Sequence, residues 1–241
     1  MVEVDGKWIM NGYEDITEAP LKNAEDLITY IKKVGFLPLF SNEIPGFAVE
    51  NLSFRHGWFG DRPEIDPWAW REVVAGSQEV AYGKLFRGKA GYISKECYPF
   101  FARIRRDAYD FDSRYEDGLA NRRAKMIMDV LESNGALPSY QLKELAGFGK
   151  GKEKGFDSVI NQLQMQTYLT VSGFSKKKNK RGEDYGWSVA SFNLSENLFG
   201  EDCVRKEYLS SYEYAMDYLI NRIKPYFSEL DDTLLKKLIK G

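Results

Sequence analysis

The amino-acid sequence predicts an α+β fold that is mainly helical. Several segments carry apolar residues at helical spacing, whereas short stretches of alternating β-branched and aromatic residues beside glycines indicate a few strands. The 241-residue chain is 43% hydrophobic and 15% aromatic, so it can bury a substantial core. These observations predict one large ordered domain or two small ones.

Residues 1–117 are predicted to form an N-terminal α+β region. Residues 23–34 have helical periodicity with Asn23 in the N-cap position, and Asp66-Pro67 begins a second short helix. Residues 79–94 alternate apolar with polar or small residues around glycines, which indicates a pair of strands. A basic, aromatic helix with a serine cap is predicted over residues 94–106.

Residues 118–194 give the clearest pattern. It consists of three helices and then a strand pair joined by a basic loop, with Ser139 expected to cap the second helix. Helix, helix, helix and hairpin is the order of a winged helix, in which the third helix enters the DNA major groove and the hairpin, or wing, contacts the backbone. We interpret residues 1–117 as a degenerate unit of the same kind. Two amphipathic helices in residues 195–241 are expected to pack on the body or to mediate self-association.

The charge distribution predicts contact with a polyanion. The net charge is −2, yet residues 84–106 and residues 148–182 each carry a net charge of +6. The second block includes the predicted wing tip and the loop before the third helix, whose cations are Lys150, Lys152, Lys154, Lys176, Lys177, Lys178, Lys180 and Arg181. Such side chains bind duplex phosphates and release counterions. The alternative is a solvated turn that only prevents edge-to-edge aggregation.

The third helix of this unit also carries amides on the face predicted to be exposed. Asn161, Gln162 and Gln164 are therefore candidates for reading adenine edges. The first basic block places Arg103, Arg105 and Arg106 beside aromatic residues, a mixture that can stack bases and hold phosphates. The alternative for that block is that its aromatics are core and its arginines pair with nearby aspartates.

A cluster of ionisable residues among tryptophans is the candidate catalytic region. It contains His56, Asp61, Glu64 and Asp66, and carboxyl groups in such surroundings can have the raised pKa that general acid–base work requires. The alternative is that Asp66 caps a helix, that the tryptophans are core, and that the other groups are solvated.

Cysteine and histidine usage argues against a metal site or a disulfide framework. The chain has one histidine and two well-separated cysteines, Cys97 and Cys203, which fits a reducing cytoplasm and makes a zinc site improbable, although a carboxylate site for Mg²⁺ stays open. The sequence contains no apolar run of about 18 residues and no secretory signal pattern, so we expect a cytoplasmic protein without a membrane partner.

Three segments together carry a family resemblance. They read KAGYISKECYPFFARIRRDAYD, RAKMIMDVLESNGALPSYQLKEL and FDSVINQLQMQTYLTVSGF, and a YGW strand follows them. Their order resembles that of the bacterial AlkZ/YcaQ family, winged-helix DNA glycosylases that remove alkylated or crosslinked purines in DNA repair. The resemblance implies tandem winged helices bound to double-stranded DNA, with no metal or other cofactor.

The resemblance also implies a catalytic triplet that the sequence lacks. The family carries Gln–hydrophobic–Gln or Gln–hydrophobic–Asp after its first helix-turn-helix, where this chain has Leu37, Pro38, Leu39 and Phe40. None of these side chains can position water or stabilise a cation. Residues 164–166 spell the triplet, but at the end of the later third helix, and we interpret this as a coincidence.

Three functional hypotheses follow. The first is a non-enzymatic winged-helix protein that binds double-stranded DNA through residues 150–181. The second is a DNA glycosylase whose active site has moved to the cluster at residues 56–71. The third is a protein-interaction module that docks through the acidic helices of residues 183–241.

Overall fold

The computed structural model describes residues 2–4, 7–178, 181–227 and 230–241, with the side chains of residues 2, 4, 7, 8 and 178 left out of the description. It is an α+β fold, as the sequence predicts. Within the described ranges, every helix is too short or too polar to cross a membrane.

The helices are distributed along the whole chain. They are α1 (Ala24–Val34), α2 (Val49–Leu52), α3 (Pro67–Gly76), α4 (Tyr98–Arg106), α5 (Phe111–Glu116), α6 (Arg122–Asn134), α7 (Ser139–Leu145), α8 (Phe156–Met165), α9 (Ser195–Phe199), α10 (Glu201–Arg205), α11 (Tyr212–Ile223) and α12 (Asp232–Lys240). The strands are β1 (Val2–Val4), β2 (Lys7–Ile9), β3 (Phe36–Pro38), β4 (Val80–Phe86), β5 (Lys89–Ser94), β6 (Leu137–Pro138), β7 (Leu169–Lys178) and β8 (Asp184–Leu194).

A six-stranded antiparallel sheet joins the N-terminal region to the later unit. Its strand order is β3-β5-β4-β7-β8-β6, while β1 and β2 form a separate hairpin. The joint lies between β4 and β7, where Tyr82 pairs with Val171 and the Thr170 hydroxyl donates to the Tyr82 carbonyl at 2.8 Å. The residues before and after the boundary expected near residue 117 therefore contribute strands to the same sheet. The division into domains stays a prediction.

Local capping chemistry sets several helix ends, and the caps at Asn23 and Asp66 lie where the sequence predicts them. The Asn23 side chain accepts from the Asp26 amide at the start of α1, and Gly35 ends that helix with a φ of 100°. Asp66 accepts from the Trp68 amide at the start of α3, whose first residue is a proline. Asn121 caps α6 in the same way.

The predicted helix caps Ser94 and Ser139 are wrong, because Ser94 belongs to the preceding strand and Ser139 belongs to the helix itself. Ser94 is the last residue of β5 rather than a helix cap, and α4 begins only at Tyr98. Ser139 is the first residue of α7, and no side chain caps that helix. The preceding Pro138 extends the sheet by pairing with Ser191 of β8.

The C-terminal helices pack on the body, one of the two placements the sequence predicts. The Phe100 ring of α4 stacks on Tyr218 of α11 at 3.7 Å between ring centroids. The α12 side chains Leu235 and Ile239 are fully buried. Self-association stays a prediction.

Candidate nucleic-acid interface

Strands β7 and β8 form the predicted hairpin, and residues 176–178 of the basic stretch are the last residues of β7. Strands β7 and β8 pair in antiparallel fashion up to Lys178 and Asp184. Lys176 and Arg181 are exposed, and the half-buried Lys177 ammonium lies 5.7 Å from the centroid of the Tyr140 ring. The side chain of Lys178 and the whole of Lys180 lie outside the described residues.

A second set of cations lies in the loop between α7 and α8. Lys150, Lys152 and Lys154 are all exposed there. The loop is attached to α6 by an ion pair between Arg122 and Glu153 at 2.8 Å and by a hydrogen bond from Arg123 to the Lys154 carbonyl at 3.1 Å. The lysine side chains are therefore presented by a loop with fixed anchors.

Fewer amide side chains of α8 are exposed than the sequence predicts. Gln162 is exposed and Asn161 is half-buried, but Gln164 is only 2% exposed. The Gln164 Oε1 accepts from the Lys84 backbone N–H at 3.0 Å, and its Nε2 donates to the Ile160 carbonyl at 3.3 Å. The prediction that Gln164 reads bases is wrong for this conformation, because its amide holds β4 instead.

A groove of about 560 Å³, here called the central groove, is lined by residues of α8, of β4 and β5, and of the β7–β8 hairpin. Its walls are largely aromatic and aliphatic, including Phe40, Tyr82, Phe156, Phe174 and Phe192. Its cations are Arg71, Lys84 and Lys89, with Asp157 and Asn161 as further polar groups. Sequence reasoning did not identify this groove, although Lys84 and Lys89 belong to the first basic block.

Residues 37–40, where the family resemblance places the catalytic triplet, reach this central groove with an apolar side chain. Leu37 and Leu39 are fully buried, whereas the half-buried Phe40 lines the groove. The segment therefore contributes a hydrophobic wall, and no hydrogen-bonding side chain, to the central groove.

A neighbouring groove of about 490 Å³, here called the wing groove, lies between α3 and the β7–β8 hairpin, which is the predicted wing. Lys176, Trp187 and Ser188 line it from the wing side, and Trp68 and Arg71 from the α3 side. The Arg71 guanidinium lies 3.8 Å from the Trp68 ring centroid and 4.7 Å from that of Phe174. Because it contacts a ring on each side, Arg71 connects α3 to the base of the wing.

The predicted second basic patch is wrong, because its arginines point into the protein. Arg105 donates to the carbonyls of Ile239, Leu238 and Met165, and its burial lowers its pKa to about 9. Arg106 is fully buried and pairs with Glu196. The mostly covered Arg103 donates to the Ser210 carbonyl at 2.7 Å and pairs with Asp107.

The aromatics of that block lie in the core, in agreement with the alternative interpretation. Tyr98, Phe100 and Phe101 are all buried. Arg103 does pair with an aspartate, but Arg106 uses the distant Glu196 and Arg105 uses carbonyls. The block therefore joins α4 to the C-terminal helices and to the end of α8.

Three of the four catalytic candidates, His56, Glu64 and Asp66, have separate hydrogen-bond partners. His56 contacts Glu14 at 3.0 Å, and Glu64 accepts from Arg62 at 2.7 Å, a bond that lowers the pKa of Glu64. Asp61 is exposed. Asp66 is buried and accepts from the Trp68 and Phe59 amides at 2.8 and 3.1 Å, which confirms its predicted role as a helix cap.

Burial also raises the pKa of Asp66, against the opposing effect of those backbone hydrogen bonds. Asp66 lines the wing groove as well. In the part of the chain that the structure describes, no group of three or more histidine, cysteine, aspartate or glutamate side chains could hold a metal ion.

The architecture defines the class of protein. It is an α+β protein in which one antiparallel sheet carries the cationic β7–β8 hairpin, with the central groove and the wing groove beside it. The chain belongs to the AlkZ-related family, whose family model matches residues 21–240. No curated protein and no solved structure matches the chain.

Proposed function

We propose that the protein binds double-stranded DNA through a winged-helix unit formed by residues 118–194. The order of elements supports this assignment, since α6, β6, α7 and α8 precede the β7–β8 hairpin and β6 pairs with β8. Membership of the AlkZ-related family supports an association with DNA.

The observation that carries the proposal is the concentration of exposed cations on this one unit. Lys150, Lys152 and Lys154 lie before α8, and Lys176 and Arg181 lie on the wing. They are set in a chain of net charge −2, so the local field rather than the total charge attracts a polyanion. Phosphate contacts of this kind supply sequence-independent affinity and fix the register on the duplex.

The base-reading part of the surface is small. The exposed residues of α8 include Ser158 and Gln162, while the side that carries Gln164 packs on β4. We therefore propose that phosphate contacts dominate the affinity and that Gln162, with the half-buried Asn161, contributes what direct base contact there is.

The proposal does not include base excision by the usual residues of the related glycosylases. The segment at residues 37–40 presents Phe40 to the central groove, and an aromatic ring cannot hold a water molecule for attack at the sugar. A glycosylase with a relocated site is the second candidate. It is favoured by one observation, the raised pKa of Asp66 on the wall of the wing groove.

A salt titration tests DNA binding through the wing. Changing the five cations within residues 176–181 to alanine should weaken binding to a plain duplex. It should also make the slope of log K against log salt shallower by about 0.9 for each phosphate that the variant no longer neutralises, which is up to about 4.5 in total. Binding is measured by fluorescence anisotropy between low and physiological salt.

A control variant removes the same charge from other surfaces. It carries five exposed lysines changed to alanine, namely Lys22, Lys95, Lys206, Lys236 and Lys237. The control should retain the slope of the unmodified protein. Equal slopes for all three proteins would reject the wing as the DNA-binding surface.

Incubation with alkylated or crosslinked duplex, followed by a test for abasic sites, separates the second candidate from the first. A glycosylase that uses Asp66 would form abasic product and lose that activity in Asp66→Asn. Binding without product in the unmodified protein would favour the non-enzymatic function.

A further inference from the structure

Trp187 presents an unusually large aromatic surface to solvent. Its side chain is 90% exposed on β8, close to the tip of the wing. Tryptophan is highly buried on average in folded proteins, and it is one of the residue types enriched at binding interfaces relative to the rest of the surface.

The backbone of the wing is irregular where it carries this residue. Ser175 pairs with Val189 and Lys177 pairs with Tyr185, so one residue of β7 faces three residues of β8. This irregularity contains Gly186, whose φ is 73°, a left-handed conformation that favours glycine. Bulges of this kind re-aim side chains, and here the bulged segment carries Trp187.

The surroundings of Trp187 have the chemistry of a nucleotide site. The indole lies on the wall of the wing groove, which also contains the cations Lys176 and Arg71 and the carboxyl groups of Asp66 and Glu72. Cations can hold a phosphate, and the carboxylates can accept from base amino groups. An apolar protein partner would instead need an extended hydrophobic patch, which a groove wall with four charged residues does not offer.

We propose that Trp187 stacks on an unpaired nucleobase of the bound DNA, with Lys176 on the adjacent phosphate. This inference rests on the proposed function, because it requires the wing to lie on DNA. It adds a preference for duplexes that contain an unpaired or extruded nucleotide over fully paired ones, since a paired base has both faces covered by its neighbours.

The size of the effect follows from the energetics of base–aromatic stacking. Replacing one stacking aromatic residue by alanine weakens single-strand binding by about 5- to 150-fold. Trp187→Ala should therefore lose about that factor on a duplex with one unpaired nucleotide and change little on a fully paired duplex. Trp187→Phe should keep part of the preference, because phenylalanine also offers a ring.

The experiment uses two duplexes of equal length, one fully paired and one with a single unpaired 2-aminopurine. Anisotropy gives the affinities, and 2-aminopurine fluorescence reports stacking directly. The matched control is Tyr214→Ala, which removes another exposed aromatic ring, 55% exposed, from α11. The unmodified protein and the control should quench the fluorescence, and Trp187→Ala should not.

The outcomes separate this inference from the proposed function. Equal affinity of Trp187→Ala and the unmodified protein for the unpaired duplex, or an equal loss on both duplexes, overturns the stacking role while DNA binding stands. If the unmodified protein binds neither duplex at low salt, DNA binding itself fails and the stacking role fails with it.

Discussion

Two glutamines of α8 lie two positions apart and allow a sharp test of which part of the helix is structural. Gln164 is buried against β4, and Gln162 is exposed. We predict that Gln164→Ala destabilises the protein without a direct effect on DNA affinity, and that Gln162→Ala has the opposite pattern.

The magnitude for Gln164 follows from its two hydrogen bonds. The Lys84 N–H donates to the Gln164 Oε1, and it lies where the β4–β5 pairing is irregular, between Gly83 and Phe86. Without the amide this donor loses its acceptor, which costs about 1–3 kcal/mol. A loss of about 2 kcal/mol should lower Tm by about 4–8 °C in a protein of this size.

Gly83, the residue before Lys84, lies directly against the Gln164 amide. A Cβ atom at this position would lie 2.5 Å from the Gln164 Oε1, so the absence of a side chain at Gly83 creates the space that the amide fills. Truncation at residue 164 therefore also leaves a small void between α8 and β4, which adds to the cost.

The assay combines urea unfolding with DNA titration at a temperature where every variant is folded. Gln162→Ala should keep its unfolding free energy within about 0.5 kcal/mol and bind DNA more weakly. If Gln164→Ala lost DNA affinity at unchanged stability, its amide would have to leave β4 in the complex, and its assignment as a structural residue would be wrong.

The remaining predictions concern buried charge and a helix cap. Glu196→Gln leaves the fully buried Arg106 without its carboxylate and should lower the unfolding free energy by about 3–5 kcal/mol in urea titrations. The control Glu201→Gln breaks an exposed pair with Arg205 and should change the unfolding free energy little. If both variants changed it by a similar small amount, the buried pair would not be needed for stability. Asp66→Asn should keep the α3 cap, whereas Asp66→Ala should cost about 1 kcal/mol. Burial raises the pKa of Asp66, so above pH 3.8 the folded state retains a proton that the unfolded state releases, and the carboxyl's contribution to stability falls as pH rises. The unfolding free energy of Asp66→Asn should therefore rise relative to that of the unmodified protein between pH 4 and neutrality. A relative loss would contradict the raised pKa.

Sequence reasoning succeeded where the decisive contacts are local. Asn23 and Asp66 cap helices through amides two or three residues away, and alternation with glycine marked both strand pairs. It failed for Gln164, whose main partner lies 80 residues earlier in the chain, and for Arg106, whose carboxylate lies 90 residues later. No periodicity within α4 or α8 contains that information.

The sequence alone determined most of the longer helices, the β4–β5 and β7–β8 strand pairs, the position of the cationic stretch and the lack of polar groups at residues 37–40. These depend on side-chain type and on neighbours within one turn or one hairpin. Tertiary structure decided which charged and amide groups face solvent, because the pairing of β4 with β7 and the packing of α4 covered some of them and left Lys176 and Trp187 exposed. The grooves exist for the same reason, since their walls come from segments that only the shared sheet brings together.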